Sequence, residues 1–181
     1  MQDRKSEIVA AGLQVLREEG FAGFTQPRIA ARAGLRQSHL TYYFPTRVDL
    51  LTAVARAAVE IQLARIDQMT AGPAADLTAN MTRGMTHHEN TRVLMGMAQA
   101  ADHEPALREL FRELTAGILQ RNGGLLEGLG ASTSQTNRDI IHALSVGLAV
   151  IDLATARPDG AERTRAVLDR TFALLSQKPG G

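Results

Sequence analysis

The sequence contains no cysteine, and this absence removes several classes of function at once. Thiolate catalysis, disulfide frameworks and cysteine-based zinc sites all require that residue. No uninterrupted apolar run approaches the roughly 18 residues that are needed to cross a bilayer. The polar start of the chain, Met1 to Ser6, lacks the apolar core of a signal peptide, so we expect a cytoplasmic protein.

Aromatic side chains are few in the whole chain, and acidic side chains are missing from one stretch of it. Five Phe, two Tyr and no Trp leave few rings for a cage that binds flat cations. No Asp or Glu occurs between Glu19 and Asp49, a stretch that holds four arginines. A stretch of one charge sign attracts a phosphate backbone, although a solvated basic face that binds nothing has the same composition.

Strand patterns are also missing, because no segment alternates with period two among β-branched and aromatic residues. Apolar residues recur instead at helical spacing along the chain. We therefore expect an all-α protein of about nine helices. The patterns end the first helix at Gly20 and place the others at about 26–33, 37–43, 46–69, 76–88, 91–101, 105–129, 134–156 and 160–177, with a stop at Ala71-Gly72-Pro73.

The first part of the chain predicts two short helices joined by a glycine-containing turn, which is typical of a helix-turn-helix. Thr25 is a favourable N-cap for the second helix, and Pro27 is tolerated in its first turn. Gly34 is required by the backbone of the turn, so we expect it to make no contact with a partner. Thr46 and Asp49 have the spacing of a capping box that opens a long fourth helix.

The ordered residues from Ile8 to Leu51 resemble the TetR family of transcriptional regulators. The residues that carry the resemblance are Thr25, Ile29-Ala30, Ala33-Gly34-Leu35, Leu40, Tyr42-Tyr43, Phe44 and Asp49-Leu50-Leu51. The resemblance implies an N-terminal three-helix helix-turn-helix head (1–46, DNA-binding) and a C-terminal helical-bundle body (47–181, effector-binding and dimerisation). Arg36 departs from an N-capping serine and Thr41 from an aromatic residue, so the operator sequence cannot be predicted.

In the fold that this resemblance implies, the third helix lies in the major groove of DNA. Gln37, Ser38 and His39 stand near the start of that helix and are the predicted readers of base edges, since Gln pairs well with adenine. The further predicted DNA contacts are Thr25, Arg28, Arg36, Tyr42, Tyr43 and Arg47. Arg28 and Arg32 also fit a solubilising surface, and that interpretation suits Arg32 better. Of the two tyrosines, we expect one ring to be partly buried and one hydroxyl to contact phosphate.

The resemblance also implies a body that binds a small molecule and dimerises through its last two helices. The predicted dimer interface consists of Ile140, Leu144, Gly147, Leu148, Ile151, Leu168, Phe172 and Leu175. The predicted effector site consists of Met81, Met85, Met95, Phe111, Leu114 and Ile118. Both sets have an alternative: apolar faces at helical spacing also fill a monomer core, and methionine is adaptable core packing.

Histidines carry little sign of chemistry in the sequence. His87-His88-Glu89 is a tempting metal motif, but adjacent helical positions point apart and cannot share one ion. His142 has no evident partner and suits a solvated helix surface or a polar pocket wall. No glycine-rich phosphate loop or nucleophile elbow occurs, so we expect neither an enzyme nor a cofactor or metal.

These inferences lead to one main hypothesis and two alternatives. The main hypothesis is a homodimeric repressor of a palindromic double-stranded DNA operator, released by a small apolar or amphipathic ligand of unknown identity. One alternative is a regulator of the same fold that has no effector. The other is a helical protein-interaction module whose basic head docks on an acidic partner without specific DNA binding.

Overall fold

The structure is a computed structural model that describes residues 3–70 and 76–177. These residues form helices and no strand, as predicted. The helices are α1 (Arg4–Gly23), α2 (Gln26–Arg32), α3 (Gln37–Tyr43), α4 (Arg47–Thr70), α5 (Leu77–Met85), α6 (His88–His103), α7 (Pro105–Gly128), α8 (Gln135–Thr155) and α9 (Gly160–Leu175). The predicted stop at Ala71-Gly72-Pro73 lies outside the described residues. The sixth helix begins earlier than its apolar spacing predicted.

One glycine interrupts the first helix and another ends the second. Gly20 has φ +69° and interrupts α1 where the first helix was predicted to end. Gly34 has φ +67° and follows α2 in the left-handed conformation that suits glycine. The Leu35 amide donates to the Ala30 carbonyl at 2.8 Å and the Gly34 amide donates to that of Ala31 at 3.1 Å. This paired bonding is a Schellman motif, and it confirms that Gly34 is required by the backbone.

The start of α4 confirms the predicted capping box. The Asp49 amide donates to the Thr46 hydroxyl oxygen at 3.0 Å, and the Thr46 amide donates to the Asp49 carboxylate at 3.0 Å. The Thr46 hydroxyl also donates to that carboxylate at 2.8 Å. Two otherwise unpaired amides at the helix start are thereby satisfied by two side chains.

Residues 3–62 and 92–113 form one compact unit. Its fully buried side chains include Ile8, Leu16, Phe24, Ile29, Leu40 and Leu50. Each such side chain contributes about 1.5–3 kcal/mol through burial. Gly12 allows α1 to approach α4, since a Cβ at that position would stand 2.7 Å from a methyl carbon of Val54.

Residues 63–70, 76–91 and 114–177 form a second compact unit. Its core cluster joins α5, α7, α8 and α9 through Leu77, Met81, Met85, Leu125, Leu126, Ile141, Ala149, Leu168 and Phe172. Arg121 donates two hydrogen bonds of 2.7 Å to the Asp67 carboxylate, which lowers the pKa of Asp67 and raises that of Arg121. The predicted boundary at residue 46, between a DNA-binding head and an effector-binding body, stays a prediction. The two compact units do not test it, because α4 and α7 each contribute to both units.

Membrane insertion was not expected from the sequence. Among the described residues, no helix combines the length and the apolar character that a membrane span requires.

Candidate DNA-binding surface

The helices α2 and α3 are held by few but specific contacts. Leu40 is the one buried residue of α3. The Gln26 side-chain amide, at the start of α2, donates to the Phe44 carbonyl at the end of α3 over 3.2 Å. Arg47 Nε donates to the Phe24 carbonyl at 3.2 Å, and its guanidinium lies 4.7 Å from the centre of the Phe21 ring. Leu40 and Gln26 hold the middle and the C-terminal end of α3, Arg47 holds the segment that follows it, and most of the surface of α3 stays outside the core.

The predicted base readers lie on the open side of α3. Gln37, Ser38 and His39 are all exposed. They occupy the first turn, the part of a recognition helix that reaches base edges in helix-turn-helix proteins. The structure therefore brings the three residues together on one accessible helix start.

The tyrosine pair divides between solvent and protein. Tyr42 is 80% exposed, whereas Tyr43 is half-buried. Their ring centres lie 5.2 Å apart in an edge-to-face arrangement, which is a favourable aromatic geometry. Tyr43 thus orients the ring of Tyr42, and one ring is partly buried, as expected.

The two positions that depart from the family pattern, Arg36 and Thr41, differ in whether the side chain bonds to its own helix. Arg36 is the N-cap of α3, and its side chain makes no capping hydrogen bond within the described residues. The Thr41 hydroxyl turns back to its own helix, to the carbonyls of Gln37 at 3.2 Å and Ser38 at 3.0 Å. Arg36 is therefore accessible to an external group, while the hydroxyl of Thr41 is already occupied.

Thr25 has the extended backbone of an N-cap, φ −126° and ψ 144°. Its hydroxyl makes no capping bond to α2 in the part of the chain that the structure describes. The side chain is exposed. The hydroxyl is consequently available to a phosphate next to the helix start.

The arginines of the acid-free stretch do not form one free basic patch. Arg28 pairs with Glu19, and Arg32 pairs with Glu18 at 2.7 Å and with Glu19 at 3.5 Å. Hydrogen bonds from Arg32, and then from Gln14, lower the pKa of Glu18. Two of the four arginines are therefore neutralised by the end of α1, just outside the acid-free stretch.

Arg36 and Arg47 have a different electrostatic setting. Neither has an acidic partner among residues 3–70 and 76–177. The positive charge of the surface is accordingly concentrated beside α3. Sequence reasoning missed the acidic pair on α1 and the anchoring role of Gln26, because both depend on how the helices pack.

The predicted interface residues lie on two different faces. Ile140 and Ile151 are 42% and 56% exposed, and a Cβ at Gly147 would meet nothing within 4 Å. Leu168 and Phe172 are buried in the core of their unit, so their predicted place in the interface stays a prediction. Leu144, Leu148 and Leu175 are half-buried and pack against the core cluster. The outward face of α9 carries Val167 and Leu174, which are exposed.

The predicted effector residues are divided between the two units. Met81 and Met85 are buried in the core of the second unit, which also holds Leu114 and Ile118. Met95 and Phe111 belong to the first unit, and Met95 is 46% exposed. An effector site built from these residues stays a prediction.

His88 has a carboxylate partner that sequence reasoning did not find. Its Nε2 lies 2.9 Å from the buried Asp152 carboxylate, a residue 64 positions further along the chain. The other carboxylate oxygen lies against Gly160, where a Cβ would stand only 1.9 Å away. Among the described residues, no three His, Cys, Asp or Glu side chains are grouped as a metal site.

Two family models match the chain. Residues 8–54 match the model described as bacterial regulatory proteins of the tetR family. Residues 69–174, more than half of the chain, match the model described as the C-terminal domain of tetracyclin-repressor-like proteins. Both the head and the body of the chain are therefore similar to the same group of proteins.

One curated relative and two solved proteins extend this similarity. The HTH-type transcriptional regulator CymR of Pseudomonas putida is 29% identical over 114 residues, which span 59% of this chain and 55% of CymR. A transcriptional regulator of Rhodococcus sp. Rha1 has a TM-score of 0.80 at 21% identity, with 97% of this chain and 99% of that one covered. The multidrug binding protein EbrR, complexed with imidazole, has a TM-score of 0.68 at 26% identity, with 99% and 98% covered. A second EbrR structure contains proflavin.

Proposed function

The chain belongs to the TetR family of bacterial regulatory proteins, and we propose that it is a homodimeric transcriptional repressor released from its operator by a small molecule. One observation carries the proposal. The start of α3 presents three polar side chains to solvent, while the buried Leu40 and the hydrogen bond from Gln26 to Phe44 hold the helix in place. A helix that is anchored on one side and polar on the other fits the major groove.

The base contacts are assigned to the first turn of α3. The side-chain amide of Gln37 can donate one hydrogen bond to adenine and accept another from it. Ser38 accepts or donates and so tolerates several bases, while His39 adds a donor and an acceptor at its two ring nitrogens. Each well-formed base contact contributes about 1–3 kcal/mol of discrimination.

The phosphate contacts are assigned around that turn. Within residues 3–70 and 76–177, Thr25 offers a hydroxyl that makes no capping bond, Tyr42 an exposed phenol, and Arg36 a guanidinium without an acidic partner. Tyr43 and Arg47 are more constrained, since one is half-buried and the other is bound to Phe24. The proposed contact of Arg28 has to compete with Glu19, so we expect it to contribute least.

The proposed dimer uses the outward face of α8. At about 100° per residue, Ile140, Gly147 and Ile151 lie within about 40° of one another on the helix surface. The large apolar side chains of Ile140 and Ile151 are exposed in the single chain. A second copy related by a twofold axis would bury them against the same face of its own α8. Twofold symmetry would place two α3 helices roughly 34–36 Å apart, which corresponds to one turn of DNA.

The proposed release mechanism needs only a difference in affinity. EbrR is described as a multidrug binding protein and was solved with imidazole and with proflavin, which supports a small-molecule site in a relative of this fold. Consider a ligand whose binding free energy favours the state unable to bind DNA by about 5.5 kcal/mol. It changes the ratio of that state to the DNA-binding state from 1:99 to 99:1. Met81 and Met85 are adaptable side chains that can rearrange around such a ligand.

A regulator without an effector is the second candidate. It is favoured by the tight burial of Met81 and Met85 among core side chains of the second unit. The two candidates differ in their response to small molecules and agree on DNA binding.

The test is a selection of genomic DNA fragments by the purified protein, followed by titration of an enriched site at several salt concentrations. The proposal predicts a palindromic site whose affinity falls steeply with salt, because phosphate contacts release counterions. If no sequence is enriched and binding stays weak even at low salt, DNA reading is refuted and a protein-interaction module takes its place.

A further inference from the structure

Two polar side-chain atoms of the second unit are buried without a hydrogen-bond partner within the described residues. They are the hydroxyl oxygen of Thr82 on α5 and Nδ1 of His142 on α8. Thr82 as a whole is only 8% exposed. Buried polar groups in folded proteins nearly always have a partner, so each of these atoms needs one that the described residues do not supply.

The neighbouring hydroxyl on the same helix behaves differently. Thr86, one turn after Thr82, donates its hydroxyl to the Thr82 carbonyl at 3.0 Å. A threonine hydroxyl in a helix is commonly satisfied in this way. The hydroxyl of Thr82 does not make this bond and has no partner in the part of the chain that the structure describes.

Both residues lie on helices that contribute to the same apolar cluster. The helices α5 and α8 pack against each other, and the cluster includes Met81 next to Thr82 and Ile141 next to His142. Methionine has three rotatable bonds and can move aside at low cost. The surroundings therefore suit a molecule with an apolar body and a polar group.

The two unpaired polar groups are themselves uncharged and favour an uncharged molecule. Burial lowers the pKa of His142, while the nearby charge of Asp139 opposes the shift, so the imidazole is neutral at pH 7. A neutral imidazole has one donor and one acceptor nitrogen, and a hydroxyl can do both. Neither the neutral imidazole nor the hydroxyl carries a charge that could pair with an ionised ligand group.

We infer that Thr82 and His142 are the polar contacts of the effector site and that the effector is a neutral molecule carrying both a hydrogen-bond donor and an acceptor, such as an amide or an alcohol. This inference rests on the proposed function in one respect, since it assumes that the body binds an effector. It adds the class of ligand and the two residues that select it.

The first arm of the test measures stability without any ligand. Thr82→Val keeps the shape of the side chain and removes a hydroxyl that has no partner. The melting temperature of the full-length protein should rise by about 2–4 °C, because an unsatisfied buried group has been removed. Thr86→Val is the matched control and should not raise it, because that hydroxyl is already bonded. A fall in the melting temperature of Thr82→Val would mean that its hydroxyl is satisfied, and would overturn the inference.

The second arm measures binding of benzamide, toluene and benzoate by ligand-observed NMR. Benzamide should bind more tightly than its apolar and anionic relatives. Thr82→Val and His142→Leu should each weaken benzamide by about three- to tenfold, the value of one neutral hydrogen bond, and leave toluene unchanged. Failure of benzamide to bind, or equal binding by all variants, contradicts the inference.

The two arms separate this inference from the proposed function. If the wild-type protein selects an operator and both arms fail, only the ligand class and its two contacts are refuted. If both arms succeed and no operator is selected, the site is real and the DNA-binding proposal is refuted.

Discussion

The exposed face of α3 and the exposed face of α8 differ in what lies behind them. Behind the first is a single buried side chain, Leu40, and four other residues of that short helix are exposed: Gln37, Ser38, His39 and Tyr42. Behind the second is a large core that also takes apolar residues from α8, including Ile141 and Ala149. The polar face of a helix that buries only one residue is easy to recognise as functional. A helix with two apolar faces does not show in its sequence which face lies in the core and which is exposed.

The two faces also differ in electrostatics. The α3 side keeps Arg36 and Arg47 without acidic partners among the described residues, although Arg28 and Arg32 are bound to the end of α1. The outward face of α8 presents Ile140 and Ile151, which are apolar. The first surface suits a polyanion and the second suits another apolar surface, so we assign DNA to one and a second copy of the chain to the other.

Replacement of Leu40 should break the α3 surface alone. Leu40→Ala removes a fully buried side chain and costs about 2–5 kcal/mol. Operator binding should be lost, while the homodimer mass measured by sedimentation stays unchanged. Leu168→Ala is the counterpart in the second unit, fully buried too, and should lower stability in denaturant by a similar amount. Operator affinity within threefold of wild type for Leu40→Ala would show that α3 is not the reader.

A charge on the other face should separate the copies. Ile151→Asp places a carboxylate at a side chain that is 56% exposed and assigned to the interface. The dimer dissociation constant should rise by about 100-fold or more, since central apolar contacts of an interface contribute about 2 kcal/mol or more each. Sedimentation velocity over a concentration series measures the change. Ala98→Asp adds the same charge to an exposed position of α6 and should leave the mass unaltered. An unaltered mass for Ile151→Asp as well would remove α8 from the interface.

Acid should weaken the second unit through His142. Its folded pKa is lowered by burial, so below the unfolded value of about 6.5 the unfolded chain takes up a proton that the folded chain does not. Stability should therefore fall as the pH drops below about 6.5, down to the folded pKa. His142→Gln should flatten this loss in denaturant melts at pH 7.5, 6.5 and 5.5, whereas the exposed His103→Gln should not. Parallel curves for wild type and His142→Gln would contradict the burial effect.

The smallest expected effect comes from the acidic pair on α1. Glu19→Gln frees Arg28 and removes a negative charge near α2, so affinity for any DNA duplex should rise by about two- to threefold, with a steeper salt dependence. Glu109→Gln removes an exposed charge that pairs with Arg112 and serves as the control. Fluorescence anisotropy with a non-operator duplex measures both variants. No gain for Glu19→Gln would place Arg28 away from the DNA.

Local signals made the head predictable from sequence. The bounds of α3, the left-handed Gly34 and the capping box of Thr46 and Asp49 each depend on residues within a few positions of one another. Backbone geometry and short-range hydrogen bonds determine such features, so the sequence contains the needed information.

Features that depend on packing could not be predicted in the same way. Helical spacing placed Leu168 and Phe172 with Ile151, but it cannot say which apolar face a core covers and which it leaves open. The pairing of His88 with Asp152 joins residues 64 positions apart, and no local pattern signals it. The neutralisation of Arg28 and Arg32 likewise follows from the contact of α1 with α2.

The most direct test of the account compares the double variant Gln37→Ala, His39→Ala with wild type on a selected operator and on a scrambled duplex. Both side chains are exposed, so stability should not change. The account predicts that the preference for operator falls by about 10- to 1,000-fold while affinity for the scrambled duplex and its salt dependence remain. Gln99→Ala, an exposed position of α6, should behave as wild type. A double variant that keeps its full operator preference would contradict the assignment of α3 as the reader of DNA sequence.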